Sequence, residues 1–116
     1  MTAYIQTVVT APVAGREDEF NRWYDDIHLP EVLAAPGFVA GQRFALAGPG
    51  AEDQPPYLTV YEIETDDLAA TVEALTAAAA TMTRSDALDE KSVVVTIYRA
   101  LGERRVTEHS AAGQDR

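Results

Sequence analysis

The chain has 116 residues, a length typical of one domain, and 47% of them are hydrophobic, which is a globular composition. Its formal net charge of −10 would repel phosphate backbones and anionic lipid surfaces, so nucleic acid and membrane partners are not expected. The chain contains no Cys, which excludes disulfides and cysteine metal sites. Since it also lacks a long apolar run and a basic leader segment, we expect a cytoplasmic protein.

The chain is expected to begin with a strand and a helix. Residues 3–11 are rich in β-branched and aromatic types and predict the first strand. A helix is predicted over residues 16–28. Its apolar face recurs at helical spacing and consists of Phe20, Trp23, Tyr24 and Ile27. Pro30 should end this helix, because a residue before proline is pushed out of the α region, and residues 30–35 could add one short helical turn.

Two strands and a loop are predicted next. Residues 38–47 read as the second strand, in which Gly41 indicates a bulge or a close approach of another element. The Gly- and Pro-rich residues 48–56 predict a loop within the domain. Residues 57–64 alternate as expected for the third strand.

A second helix over residues 67–81 and a fourth strand over residues 92–101 complete the predicted elements. Residues 1–101 are therefore interpreted as one domain, and residues 102–116 as a polar C-terminal tail.

The element order β-α-β-β-α-β is that of the ferredoxin-like motif. It predicts an α+β fold with a four-stranded antiparallel sheet and two helices on one face. The other face, assigned residues such as Val8, Tyr61 and Val95, would be too apolar to remain in water. We therefore expect a homodimer in which two sheets face each other as an α/β barrel, with a small-molecule pocket between them.

One set of motifs resembles a known family. It comprises Asn21-x-Trp23-Tyr24-Asp25-x-x-His28-Leu29-Pro30, Pro36-Gly37-Phe38, Arg43-Phe44 and Tyr57-Leu58-x-x-Tyr61-Glu62. Over residues 3–101 the chain resembles the dimeric α/β-barrel superfamily and is most similar to its EthD-like, polyketide-cyclase-like proteins. The resemblance implies the same fold and a proton-transfer role for the His at the end of the first helix, which matches His28. The second-strand His of some members is absent here, and no haem-binding motif is matched, so haem is not expected.

His28 is the candidate catalytic acid or base, because it is the only His in the predicted core and titrates near neutral pH. Asp25, three residues earlier, would orient its ring. The structural alternative is that His28 simply caps the helix, where its charge favours the negative end of the dipole. The acidic residues around it read as a solvated face, so no metal is predicted.

The candidate substrate-binding residues are Trp23, Tyr24, Arg43, Tyr61 and Tyr98. Trp23 is more readily explained as a core anchor than as a ligand contact, whereas Tyr24 suits either role because its phenol has a polar end. Arg43 would either hold a substrate carboxylate or enolate, or form a surface ion pair with an acid such as Glu62. The hydroxyl-bearing faces of the third and fourth strands are assigned to the barrel interior, which makes Tyr61 and Tyr98 pocket candidates.

These observations favour a small cofactor-independent cyclase, isomerase or lyase. It would abstract a proton next to the carbonyl of an enolisable aromatic, polyketide-like or lactone substrate, with His28 as the base or acid. A cofactor-free monooxygenase is a related variant. The alternatives are a non-catalytic small-molecule-binding or accessory dimer, and a structural dimer whose pocket is filled by side chains.

Overall fold

The computed structural model describes residues 1–49 and 52–109. Its elements in chain order are β1 (Thr2–Thr10), α1 (Glu17–Trp23), a π-helical turn (Tyr24–His28), α2 (Leu29–Leu33), β2 (Phe38–Ala45), β3 (Tyr57–Thr65), α3 (Leu68–Ala79), a 3₁₀ turn (Glu90–Ser92) and β4 (Val94–Arg99). The predicted loop and tail include residues 50–51 and 110–116, which lie outside the described residues.

The four strands form one antiparallel sheet in the order β2-β3-β1-β4. The register of β2 against β3 shifts between Phe38 and Ala40. A Cβ atom on Gly41 would lie 3.1 Å from side-chain atoms of Leu29 and of Tyr61. The irregular strand and the close approach expected around Gly41 are both present. The sheet and its helices confirm the predicted ferredoxin-like α+β fold.

The helices bury one face of the sheet. Two clusters of buried side chains form the core between the layers. The first contains Val8, Val32, Ala35, Phe38, Tyr61 and Ile63, and the second contains Phe20, Trp23, Tyr24 and Ala87. The second cluster lies where α1 meets the segment after α3, and it brings Trp23 and Tyr24 beside His28.

The prediction that Pro30 ends the first helix is wrong. In the π-helical turn the N–H of Leu29 donates to the carbonyl of Tyr24, five residues back. Pro30 then falls in the first turn of α2, where a missing N–H costs nothing. The chain remains helical to Leu33, so His28 lies between two helical segments and not at a helix C-terminus. The interpretation of His28 as a C-terminal cap therefore loses its basis.

No helix of the described residues packs on the opposite face of the sheet, here called the uncovered face. Ile5 and Tyr98 pair across β1 and β4 on this face, and they are 38% and 54% exposed. Val60 lies beside them in β3, paired with Thr7. Val8 and Tyr61, which the sequence assigned to this face, point to the helices instead and are buried.

Among the described residues, no helix is long and apolar enough to cross a membrane.

Candidate ligand-binding site around His28

The ring of His28 is positioned by two aromatic neighbours. It stacks on the indole of Trp23, with ring centroids 4.8 Å apart and an interplanar angle of 20°. Tyr24 meets it edge-on, with centroids 4.9 Å apart at 87°. The Trp23 indole N–H in turn donates to the carbonyl of Thr83 at 3.1 Å. The orientation of the imidazole is therefore set by packing against rings that are themselves anchored.

The electrostatics of His28 keep its ring neutral. Burial lowers the pKa of His28, and the nearby charge of Glu31 opposes this effect without reversing it. Its Nδ1 atom is buried and has no hydrogen-bond partner among the described residues. A neutral imidazole retains a lone pair that can accept a proton or bind a metal ion. A buried polar atom without a partner is destabilising, which favours a functional interpretation of this ring.

His28 borders a cavity of about 220 Å³. Trp23 and His28 form its inner wall, and the chain after α3 forms its outer wall. The outer wall includes Met82, Thr83, Ser85 and Leu88. The lining is mainly apolar, with hydroxyl and imidazole groups and the ion pair of Arg84 and Glu90, and it suits a small, flat ligand with an apolar body.

Arg43 lies under α1 and connects β2 to it. Its side chain is 13% exposed, and Nη1 donates to the carboxylate of Asp25 at 2.9 Å. Nη2 donates to the side-chain oxygen of Asn21 at 2.8 Å, and the guanidinium lies 4.5 Å from the ring centroid of Tyr24. The surface pair considered with Glu62 does not form. The carboxylate of Asp25 bonds Arg43, and no hydrogen bond joins it to His28 among the described residues.

Tyr61 contributes to the site from the sheet side. It is 1% exposed, and its hydroxyl lies 3.4 Å from the hydroxyl of Tyr24. Burial, the first of several causes, raises the pKa of the Tyr61 phenol. The assignment of Tyr61 to the space between two sheets was wrong, because alternation along a strand defines two faces without saying which one meets the helices.

Tyr98 lies on the other side of the sheet from His28. It pairs with Ile5 on the uncovered face and lines a groove of about 380 Å³ with Val60 and Glu62. Its assignment to the helix-free face therefore agrees with the structure. Because His28 is on the helix side, the two residues do not share a cavity.

Sequence reasoning missed Glu31 and Thr83. The carboxylate of Glu31 accepts from the N–H of Thr83 at 3.1 Å and from its hydroxyl at 3.1 Å. These residues are 52 positions apart, and Thr83 reads as part of an ordinary polar loop. No local pattern in a single sequence indicates such a contact.

The acidic residues of α1 were interpreted from the sequence as a solvated helix face. Glu17, Asp18 and Glu19 are exposed. Within residues 1–49 and 52–109, no group of three or more His, Asp or Glu side chains is placed to hold a metal ion. The exposure of the three acidic side chains agrees with a solvated helix face.

Several solved structures share this fold. MhuD of Mycobacterium tuberculosis, a haem-degrading protein with two haems bound in its active site, has a TM-score of 0.58 and 18% identity, covering 88% of this chain and 99% of its own. An EthD family protein of Bacillus halodurans has a TM-score of 0.56 and 15% identity, with 90% and 100% covered. A dimeric ferredoxin-like protein of unknown function from Jannaschia sp. CCS1 has a TM-score of 0.55 and 10% identity, with 84% and 99% covered. No protein-family model and no curated protein matches the chain.

These similarities show the fold alone: the chain shares the ferredoxin-like fold of these proteins, an EthD family protein among them. The expected resemblance is confirmed at the level of the fold. At identities of 10% to 18% the comparisons establish no reaction.

The expectation of a cofactor-independent cyclase, isomerase or lyase is wrong in the light of these similarities. The finding that overturns it is the likeness to MhuD, which binds and degrades haem. The physical source of the error is that a single helix-borne His is compatible with either chemistry: the same imidazole lone pair accepts a proton or ligates iron.

Proposed function

We propose that the protein binds a flat aromatic cofactor or substrate in the His28 cavity, with haem the first candidate, and that it acts as an oxygenase-type enzyme. The observation that carries this proposal is a neutral, partly buried imidazole, stacked on Trp23, that opens onto a largely apolar cavity. The likeness to haem-degrading MhuD supports the choice of haem.

The donor chemistry of the site fits haem. Haem iron is commonly held by a His nitrogen, and the lowered pKa of His28 keeps its lone pair free at neutral pH. When bound, haem would supply oxygen activation. Arg84 is a cation on the same cavity wall, now paired with Glu90 at 2.8 Å, and it would meet a propionate. Trp23 would cover the ligand edge and exclude water.

The present volume of the cavity limits the size of the ligand that can enter it. Sites for drug-sized ligands usually have volumes of about 300–1,000 Å³, whereas this cavity, which is partly open to solvent, has a volume of about 220 Å³. Haem therefore requires the outer wall to move. A one-ring or two-ring aromatic fits without movement, so such a molecule is the second candidate ligand.

A haem titration followed at the Soret band tests the proposal. Wild-type protein should bind haem with a shifted Soret band and quenched Trp23 fluorescence. His28→Ala should lose the shift. The chain offers a matched control, because His109 is its only other His and is exposed. His109→Ala should bind like wild type. If His28→Ala gives the wild-type spectrum, the role of His28 in binding haem is refuted. If wild-type protein does not bind haem, haem is excluded as the ligand.

We also propose that the protein is a homodimer through the uncovered face of the sheet. This face combines Ile5, Val60 and Tyr98 with Phe44 of β2, which is 43% exposed. An apolar sheet face of this kind is normally covered, and a second copy supplies a matching surface. The similar Jannaschia protein is described as dimeric, which supports the proposal.

A further inference from the structure

The outer wall of the His28 cavity is the chain from Met82 to Leu88, here called the wall segment. Met82, Thr83, Ser85 and Leu88 of this segment line the cavity. The two ends of the segment are held by different kinds of contact. That difference decides which end can open.

The far end of the wall segment is built into the core. Ala87 is fully buried with Phe20 and Trp23. Its carbonyl accepts from the N–H of Val13 at 2.6 Å. Opening this end would expose a buried side chain and break a backbone hydrogen bond, so it acts as the fixed end.

The near end is held through Thr83, which is exposed. Its N–H donates to both carboxylate oxygens of Glu31, at 3.1 and 3.2 Å, and its hydroxyl donates to Oε2 at 3.1 Å. Its carbonyl accepts from the indole N–H of Trp23 at 3.1 Å. Two side chains thus bond every polar group of Thr83. Because Thr83 is exposed, water can replace these bonds when this end opens. Met82 beside it is only partly buried against the first core cluster, so less apolar surface is exposed here than at Ala87.

Glu31 is also placed beside the ligand site. It follows Pro30 in the first turn of α2, and its charge acts on the His28 ring. The same carboxylate therefore acts on His28 of the inner wall through its charge and bonds Thr83 of the outer wall. Breaking its contact with Thr83 leaves the bond from the Trp23 indole to the Thr83 carbonyl to join the two walls, and this single bond breaks more readily.

We propose that Glu31 and Thr83 form a latch that determines the size of ligand the His28 cavity admits. The proposal rests on the proposed function, since it takes this cavity as the ligand site. With the latch closed, the cavity of about 220 Å³ holds a ligand of one or two rings. With the latch open, the wall segment pivots about Ala87 and a planar ligand of haem size enters. Glu31 determines specificity through the wall segment, without touching the ligand.

The latch can be measured without any ligand, because Trp23 is the only Trp in the chain. Its indole N–H is free to exchange with solvent when the bond to Thr83 breaks, so its exchange rate in NMR spectra reports opening. Glu31→Ala removes both acceptor oxygens and should raise this rate about tenfold. Glu31→Gln keeps one acceptor oxygen and should give an intermediate rate.

Glu73→Gln is the matched control, since it removes the same charge from an exposed position on α3. In this variant the Trp23 indole N–H should exchange at the wild-type rate. If the indole exchange rate of Glu31→Ala equals that of wild type, the latch is refuted, whether or not any ligand binds.

Two added ligands, free indole as the small one and haem as the large one, distinguish control of ligand size from simple stabilisation of the fold. In Glu31→Ala the affinity for haem should rise about tenfold, while the affinity for indole stays unchanged. Equal changes for both probes would mean that Glu31 only stabilises the structure, which overturns the proposal. If neither probe binds any variant while the exchange rates follow the expected order, the latch stands and the proposed function fails.

Discussion

The imidazole of His28 and the indole of Trp23 stack with ring centroids 4.8 Å apart and planes 20° from parallel. Trp23 is the only Trp in the chain, so its fluorescence reports directly on the neighbouring imidazole. The π-helical turn produces this contact, because it places two residues five apart in sequence on the same side of the helix, one turn apart along its axis.

Acidification should destabilise the protein through His28. Burial lowers the folded-state pKa of His28 below the ordinary value of about 6.5, so the unfolded chain takes up the proton first. The stability that the neutral His28 imidazole contributes is complete above the pKa of His28 in the unfolded chain. It is lost as the pH falls through the pKa of His28 in the folded protein. Between pH 7 and pH 5 wild-type protein should therefore lose more free energy of unfolding than His28→Gln, as measured by urea denaturation.

The control for this pH dependence is His109→Gln, whose imidazole is exposed in the folded protein. It should follow the wild-type curve. If His28→Gln and wild-type protein lose the same free energy between these pH values, His28 does not titrate as described. An NMR titration of the His28 ring then locates its pKa directly.

Removing the Arg43 guanidinium should destabilise the contact between β2 and α1. Arg43→Ala loses the bonds to Asp25 and Asn21 and the stacking on Tyr24, and should cost about 2 kcal/mol of unfolding free energy. Arg43→Lys keeps the charge but not the planar fork, and should cost roughly half as much. Urea denaturation at pH 7 measures both.

Arg22→Ala is the control for Arg43, because Arg22 is exposed on α1. Its effect should stay within about 0.5 kcal/mol. A similar loss in Arg22→Ala and Arg43→Ala would show that the buried contacts of Arg43 contribute nothing beyond its charge.

The element order could be predicted from the sequence because each strand and helix carries its own periodicity. The end of the first helix could not be predicted in this way, because the rule for a residue before proline considers only its immediate neighbours. It does not foresee that a π-helical turn puts Pro30 where its missing N–H is harmless. The same turn carries His28, so the error lay within the site itself.

The candidate site was only partly predictable for a related reason. Trp23, Tyr24 and His28 are close in sequence, and the structure brings them together. The assignment of Tyr61 to a face failed because strand alternation separates two faces without naming the covered one. The contact of Glu31 with Thr83 depends on tertiary folding alone, which no local rule describes.

A charge on the uncovered face should separate the proposed dimer. Val60 lies in β3 on that face, and Val60→Glu would bury an unpaired carboxylate between two sheets. We expect a shift from dimer to monomer in analytical ultracentrifugation. Val72→Glu, the same change at an exposed position on α3, should leave the dimer intact. If wild-type protein sediments as a monomer, or if both variants do, the proposed interface is wrong.

Removing residues 102–116 tests the proposed boundary of the domain. Just before it, the N–H of Ala100 still donates to the carbonyl of Ala3 at 2.9 Å, whereas Leu101 is 90% exposed. The His28 cavity is lined by residues between 23 and 90, so haem affinity should not change. The free energy of unfolding should stay within about 0.5 kcal/mol of wild type. A truncated chain that unfolds, or that loses ligand affinity, would show that the tail belongs to the domain.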